Sequence, residues 1–95
     1  MAFYTYIMAS QRNGTLYTGS TDNIGLRAWK HAEGVGSGFT SKYGVGRLVW
    51  FETHETRECA FRRERQIKKW NRQWKLRLIE EMNPGWRDLT ETLSA

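Results

Sequence analysis

Two short segments near the N-terminus constrain the fold more than any other feature of the sequence. Residues 3–8 (FYTYIM) and 15–19 (TLYTG) are rich in aromatic and β-branched side chains, which favour strands. The stretch between them ends in Asn13-Gly14, a pair that favours a turn. The pattern predicts a β-hairpin, closed either by a two-residue turn at this pair or by a longer loop.

A short helix and a glycine-rich loop are predicted after the hairpin. Asp22 precedes a helical stretch at residues 23–32, and its carboxylate can accept hydrogen bonds from the free N–H groups of the first turn. Residues 33–46 contain five glycines and no sustained hydrophobic period. That composition predicts a surface loop, which is a common place for functional residues.

The second half of the chain reads as one strand followed by two helices. RLVWFETH, at residues 47–54, is typical of a strand, whereas residues 55–70 and 73–82 favour helix. Residues 83–85 (NPG) end the second helix. The order β-β-α-β-α-α predicts an α+β fold in which helices flank a small three-stranded antiparallel sheet.

Length and cysteine content limit the number of domains and the cellular compartment. A chain of 95 residues makes one compact domain, so residues 1–95 are assigned to a single domain. The single Cys59 cannot form an internal disulfide, which fits a reducing, cytoplasmic setting. Met1–Ser10 lacks a basic leader, and its apolar run is too short to cross a membrane. No membrane association is expected.

Positive charge is concentrated in the second half of the chain. The formal net charge is +5, and residues 57–77 hold nine basic side chains against two acidic ones. Such a stripe is either a solvated helix face or a surface for an anionic partner. Nucleic acid is the more specific interpretation, as the anionic partner. The candidate nucleic-acid-binding residues are Lys42 in the loop and Arg62, Arg63, Arg65, Lys68, Lys69, Arg72 and Lys75 in the stripe.

Glu64 lies on the apolar side of its predicted helix. At about 100° per residue, this side also carries Cys59, Ala60, Phe61, Ile67 and Trp70. A carboxylate in such surroundings is unfavourable unless it is paired or binds a cation. Two interpretations stay open: an ion pair with Lys68 at i+4 or with an arginine from elsewhere, or a metal ligand or catalytic acid.

Arg27, His31, Tyr6 and Tyr17 are weaker signals when each is taken alone. The i, i+4 spacing of Arg27 and His31 places both on one helix face, where they can reach one phosphate together. Histidine titrates near neutral pH and suits proton transfer, but two solvated side chains are the commoner outcome of this spacing. Tyr6 and Tyr17 lie on neighbouring strands, as sheet aromatics often do.

The order of these residues resembles the GIY-YIG nuclease family along nearly the whole chain. Tyr4-Thr5-Tyr6 and Tyr17-Thr18-Gly19 stand where the two namesake motifs occur, although Tyr4 replaces the first Gly and Thr18 the second Ile. The match to the short, stand-alone bacterial subgroup is close. Its supporting stretches here are NGTLYTGST at 13–21, GFTSKYGVGRLVWFE at 38–52, FRRERQIKKW at 61–70 and NPGWRDL at 83–89.

The resemblance implies a role for each candidate residue. Tyr6 and Tyr17 correspond to the motif tyrosines, and Arg27 corresponds to the arginine of the family. Glu64 matches the metal-binding glutamate, which would hold Mg²⁺ or Mn²⁺, and His31 matches a position of His or Tyr. Lys68 also matches a recurrent lysine of the subgroup, whereas Asn71 and Asn83 do not align with the family's downstream asparagine.

The expected function is that of a metal-dependent endonuclease acting on nucleic acid. DNA is the expected substrate, cut structure-selectively or without sequence preference, for example in DNA repair. The resemblance also implies a GIY-YIG nuclease fold over residues 1–95, as a monomer or weak homodimer, with a protein partner as one source of specificity. Two alternatives are a binding module with little activity on the same fold and an adaptor whose basic helices dock an acidic protein.

The five tryptophans bear on substrate binding. Tryptophan rings can stack on unpaired bases, but most are expected to lie in the core. They are Trp29, Trp50, Trp70, Trp74 and Trp86.

Overall fold

A three-stranded antiparallel sheet organises the chain, as predicted. The computed structural model describes residues 2–33 and 42–93. Strands β1 (Phe3–Ala9), β2 (Leu16–Thr21) and β3 (Arg47–His54) pair in the order β2-β1-β3. Both edge strands therefore flank β1, so that a residue of β1 has neighbours on either side. The predicted loop at residues 33–46 lies largely outside the described residues.

The hairpin closes by the longer of the two predicted loops. Ala9 and Leu16 form its last strand pair, which leaves residues 10–15 as the connection. Within it, the Gly14 N–H donates to the Gln11 carbonyl at 3.0 Å. Asn13 has a φ of 58°, a backbone conformation that asparagine tolerates better than most residues. The turn therefore centres on residues 12–13 rather than on Asn13-Gly14.

Four helices lie among the described residues. They are α1 (Ile24–Ala32), α2 (Arg57–Lys68), α3 (Arg72–Met82) and α4 (Thr90–Leu93). The expected cap at Asp22 is wrong, because the Asn23 side chain accepts from the Leu26 N–H while Asp22 pairs with Arg57. The one-turn helix α4 was not predicted, since its short polar sequence shows no helical period.

Hydrophobic side chains fill both faces of the sheet. Helices α2 and α3 cover one face, on a cluster made of Ile7, Ala9, Val49, Trp50, Ile67, Ile79 and Trp86. Helix α1 covers the other, on a cluster made of Tyr6, Met8, Ile24, Ala28, Val45 and Leu48. A β-bulge contributes to this division: Ile7 pairs with Trp50 and Met8 pairs with Leu48, so Val49 is the extra residue of β3.

The segment after α3 is fastened to β3. Asn83 is buried, and its side-chain amide donates to the carbonyl of Val49 at 3.1 Å and to that of Arg87 at 2.8 Å. The Leu89 N–H donates to the Leu48 carbonyl at 2.7 Å. These contacts give Asn83 a structural role. None of the helices in the described ranges has the length and apolar character needed to span a membrane.

The outer surface of the helices carries more aromatic area than expected. Trp50 and Trp86 are buried and Trp70 packs on the same cluster, as expected for most of the five tryptophans, whereas Trp29 and Trp74 are about half exposed. The apolar side of α2 is also narrower than predicted, because the helix rests on the sheet along Ala60, Glu64 and Ile67. Cys59 and Phe61 stand on its flanks and are exposed.

Candidate active site

Tyr6 is the centre of a hydrogen-bonded group on the α1 side of the sheet. Its hydroxyl Oη lies 3.2 Å from Nε2 of His31 and accepts from Nε of Arg27 at 3.4 Å. Arg27 and His31 stand one turn apart on α1, so the predicted shared face is realised. The Tyr17 ring lies 5.1 Å from the His31 ring and 6.4 Å from the Tyr6 ring, measured between centroids. The fold thus brings four of the five predicted catalytic residues together.

Gly19 makes room for the Tyr6 side chain. The two residues are directly paired across β1 and β2. A Cβ atom at Gly19 would lie 2.6 Å from the Tyr6 Oη and 2.7 Å from Cζ, closer than real Cβ atoms approach other groups. The Tyr6 hydroxyl therefore lies over the edge strand β2 only because residue 19 has no side chain. Gly19 belongs to the second motif, but its sequence context did not indicate this role.

Burial and Arg27 set the protonation states of this group. Burial raises the pKa of Tyr6, while Arg27 counteracts the rise and Glu64 adds slightly to it. Burial also lowers the pKa of His31, and the Arg27 charge lowers it further. The hydrogen bond with Tyr6 raises the pKa of Arg27. At neutral pH, Tyr6 is therefore protonated, His31 is neutral and Arg27 is charged.

These protonation states determine the direction of the hydrogen bonds. Because Arg27 can only donate, the Tyr6 oxygen accepts from Arg27 and is free to donate its proton to His31. His31 Nε2 then acts as an acceptor, which places the ring proton on Nδ1. Nδ1 has no hydrogen-bond partner within residues 2–33 and 42–93. The group is arranged as a chain from Arg27 through Tyr6 to a neutral histidine.

Glu64 occupies the other face of the same edge strand. The Ser20 hydroxyl donates to its Oε1 at 2.7 Å, and the Lys68 ammonium donates to its Oε2 at 2.5 Å. Helix α2 is held in place nearby by Thr5, whose hydroxyl donates to the Ala60 carbonyl at 2.8 Å. The i+4 ion pair considered from the sequence is present. Ser20 is a site residue that the sequence did not indicate.

The two groups meet at consecutive residues of β2. The Tyr6 hydroxyl lies against Gly19, and Glu64 is hydrogen-bonded to Ser20, the next residue along the strand. Alternate residues of a strand point to opposite faces, which explains how one position serves the α1 side and the next serves the α2 side. The fold thus brings the predicted catalytic residues to one edge of the sheet. We call this group the edge site; it consists of Tyr6, Tyr17, Arg27, His31 and Glu64.

Glu64 is the group best placed to hold a divalent cation. Its side chain is about nine-tenths buried but keeps a solvent-facing partner in Lys68. The described residues contain no cluster of three or more metal-binding side chains. An oxygen-only site with one carboxylate suits Mg²⁺, which usually keeps several water ligands and shares the oxygens of a substrate phosphate. The residues present therefore fit such an ion.

The candidate nucleic-acid-binding residues fall into two groups. Some are engaged within the protein: Arg63 donates to Glu52 at 3.1 Å, Arg72 donates to the Asn13 and Gly14 carbonyls, and Lys68 holds Glu64. The others point outward. Arg62, Arg65, Lys69 and Lys42 are exposed, and Lys75 is partly exposed.

Comparison with known proteins identifies the family to which the chain belongs. Residues 2–77 match the model of the GIY-YIG catalytic domain. The chain belongs to the GIY-YIG family. The matched range contains every residue of the edge site, and the domain is that of a nuclease family that acts on nucleic acid. The resemblance found in the sequence is thereby confirmed.

Short single-domain proteins are among the most similar relatives. UPF0213 proteins SAV0488 and SA0446 from Staphylococcus aureus strains Mu50 and N315 are each 40% identical over 78 residues, covering 82% of this chain and 94% of theirs. The solution structure of UPF0213 protein BH0048 from Bacillus halodurans is 32% identical, with a TM-score of 0.57 and 96% of both chains covered. The α+β fold with its three-stranded sheet is therefore shared with this subgroup.

Proposed function

We propose that this chain is a divalent-metal-dependent endonuclease that hydrolyses phosphodiester bonds in DNA, selecting structure rather than sequence or showing no preference. One observation carries the proposal: the hydrogen-bonded Arg27–Tyr6–His31 group and the buried Glu64 reach adjacent residues of the same edge strand. Family membership supplies the reaction class, and this arrangement provides a proton acceptor, a fixed positive charge and a cation ligand at one place.

Tyr6 acts as a proton relay in this proposal. A tyrosine whose pKa is raised is not a tyrosinate at neutral pH, so it cannot act as a preformed base. When the water oxygen attacks phosphorus and the bond from phosphorus to the leaving oxygen breaks, the water proton passes to the Tyr6 oxygen while the Tyr6 proton passes to His31 Nε2, and the leaving oxygen takes a proton from solvent. The lowered pKa of His31 keeps that nitrogen unprotonated before the reaction. Tyr17, packed on His31, positions the water or the phosphate.

Arg27 and Glu64 handle the charges of the reaction. The Arg27 guanidinium lies at the relay and offers N–H donors to the phosphate oxygens, whose negative charge grows as the water bond forms. Glu64 would hold Mg²⁺ or Mn²⁺ with Ser20 orienting its carboxylate, and either ion supplies Lewis-acid stabilisation of the phosphate and of the leaving oxygen. Lys68 would compete with the ion for Oε2 of Glu64, and a bound ion would leave its ammonium available to a phosphate.

A catalytically weak nucleic-acid-binding module is the second candidate. The observation that favours it is the Glu64–Lys68 ion pair, which satisfies the carboxylate without any metal ion. In that case the outward basic residues would hold nucleic acid and the edge site would be idle. Residues 1–95 as one domain, a cytoplasmic location, a monomeric or weakly dimeric state and a partner that supplies specificity all stay predictions.

Cleavage assays on a panel of DNA structures test the proposal. The substrates are single-stranded, duplex, flapped and branched DNA, each with Mg²⁺, with Mn²⁺ or with EDTA, and the proteins are wild type and Glu64→Gln. Glu58→Gln is the matched control, because Glu58 is an exposed glutamate of the same helix. Metal-dependent cutting that Glu64→Gln loses and Glu58→Gln keeps is the expected result. Salt-sensitive binding without cutting by the wild type would move the assignment to the binding module.

A further inference from the structure

Large aromatic rings stand on the outer surface of α2 and α3. Phe61 is 50% exposed and Trp74 is 52% exposed. The Trp74 ring packs edge-on against the partly buried Trp70, with 5.9 Å between the ring centroids. The hydrophobic core does not account for the exposed faces of Phe61 and Trp74. They offer flat apolar surface to a partner.

Positive charge fills the space between these rings. Arg62, Arg65 and Lys69 line the exposed crest of α2, in a shallow groove that runs from Phe61 to Trp70 and that Glu58 and Gln66 also line. None of the ion pairs found within the described ranges involves these three residues. The Arg65 guanidinium lies 5.7 Å from the centroid of the Phe61 ring, and that of Arg63 lies 5.3 Å from Trp70. Basic groups thus lie between the Phe61 ring and the two tryptophan rings.

We propose that this crest, formed by Phe61, Arg62, Arg65, Lys69, Trp70 and Trp74, binds unpaired bases of single-stranded nucleic acid. The cations and the exposed rings of the crest match the two chemical parts of a single nucleic-acid strand. Cations contact the phosphates, and rings stack on the bases. A duplex hides the faces of its bases and would use only the charges. The occupant that uses both kinds of residue is therefore a strand with unstacked bases.

The position of the crest connects it with the edge site. Phe61 lies about one helical turn before Glu64 on α2, whereas Trp70 lies six residues after Glu64, just beyond the end of the helix at Lys68. A strand that crosses α2 from the tryptophans to Phe61 arrives at the flank where Glu64 meets Ser20. This inference rests on the proposed function and refines its substrate class: the cut phosphodiester adjoins an unpaired segment, as in flapped or branched DNA.

The test measures binding in EDTA, so that no cleavage takes part. Fluorescence anisotropy compares labelled oligothymidylate with an abasic phosphodiester strand of the same length and with a duplex. The two single strands have equal backbone charge and differ only in their bases. Wild type should bind oligothymidylate about 25-fold or more tightly than the abasic strand, which is about fivefold for each of the two bases that stack on Phe61 and Trp74.

Matched variants locate the stacking surface. Trp74→Ala and, separately, Phe61→Ala should each reduce the preference for oligothymidylate over the abasic strand by about fivefold, because each removes one ring on which a base stacks. Trp29→Ala is the control, because Trp29 is 54% exposed but lies on α1. It should keep the full preference. Circular dichroism establishes that all three variants are folded.

Equal affinity of wild type for the thymidine and abasic strands would overturn the inference, and so would a preference that neither Trp74→Ala nor Phe61→Ala reduces. Either result would favour a protein partner as the ligand of these exposed rings. The proposed nuclease function fails separately. Metal-dependent cutting by a protein that binds the thymidine and abasic strands equally would refute only the stacking surface. A preference for the thymidine strand without metal-dependent cutting would refute only the nuclease assignment.

Discussion

The α1 side and the α2 side of the edge site are built on different physical principles. Tyr6 and His31 are almost fully buried, and the hydrogen bonds of the Tyr6 hydroxyl to His31 and to Arg27 leave little freedom. On the α2 side, Glu64 is held by a serine and by Lys68, whose side chain is about half exposed. Packing fixes the first group before substrate binds, whereas the second is an ion pair whose cation can exchange. Changes on the α1 side should therefore have the larger effects.

Removing the Tyr6 hydroxyl should have the largest effect. Tyr6→Phe keeps the buried ring but breaks the relay, so kcat/KM for DNA cleavage should fall by about 10² to 10⁴, the range for loss of one acid–base group. Tyr4→Phe is the control, because Tyr4 is on the same face of β1 and packs on Phe51. Undiminished cleavage by Tyr6→Phe would contradict the preorganised relay.

Adding a methyl group at Gly19 tests preorganisation without removing a reacting group. The new Cβ must displace the Tyr6 hydroxyl by roughly 0.5 to 1 Å, and kcat/KM should fall by up to about 10². Gly25→Ala is the control, because its Cβ would approach no atom closer than 3.9 Å. Full activity in a folded Gly19→Ala protein would mean that the position of Tyr6 is not critical.

The pH dependence of cleavage examines His31. Since burial and Arg27 lower its pKa below 6.5, His31 should stay neutral through pH 6.5, and kcat/KM should fall only as the pH drops through the lowered value. His31→Phe should remove this acid limb and reduce the rate at all pH values. An acid limb centred above pH 6.5, or one that persists in the variant, would exclude His31 as the acceptor.

The lowered pKa of His31 also makes the free energy of unfolding depend on pH. A histidine whose folded pKa is lowered binds its proton more weakly in the folded state than in the unfolded chain. Its contribution to the unfolding free energy is therefore complete above pH 6.5 and declines as the pH falls towards the folded pKa. Urea unfolding of wild type and His31→Phe across this range should show a slope difference that disappears above pH 6.5.

The smallest effect is expected at Lys68. Lys68→Met removes the cation that competes for Glu64, so affinity for Mn²⁺, measured by electron paramagnetic resonance without DNA, should rise by about two- to fivefold, as for a partly exposed ion pair. Lys69→Met is the control, since the neighbouring Lys69 is exposed and does not contact Glu64 in any ion pair of the described chain. Weaker Mn²⁺ binding would show that Lys68 supports the metal site instead of competing.

Local patterns in the sequence were sufficient for the elements and for much of the site. Period-two and helical patterns predict the three strands and three longer helices, because backbone geometry dictates side-chain direction within each element. The same geometry places Arg27 and His31 on one helix face and Glu64 on a buried one. Strand neighbours place Tyr6 beside Tyr17. What these inferences share is that each depends on a single element or on one hairpin.

The tertiary structure decided everything that depends on how elements dock. The cross-strand register sets Gly19 against Tyr6, and the seating of α2 on the sheet brings Ser20 to Glu64 and leaves Phe61 outside. The Asn23 cap of α1 and the ion pair of Asp22 with Arg57, from a distant helix, are likewise seen only in the structure. Contacts between residues far apart in the chain are set by how the helices and strands pack together. The periodicity of hydrophobic residues within one element carries no information about that packing.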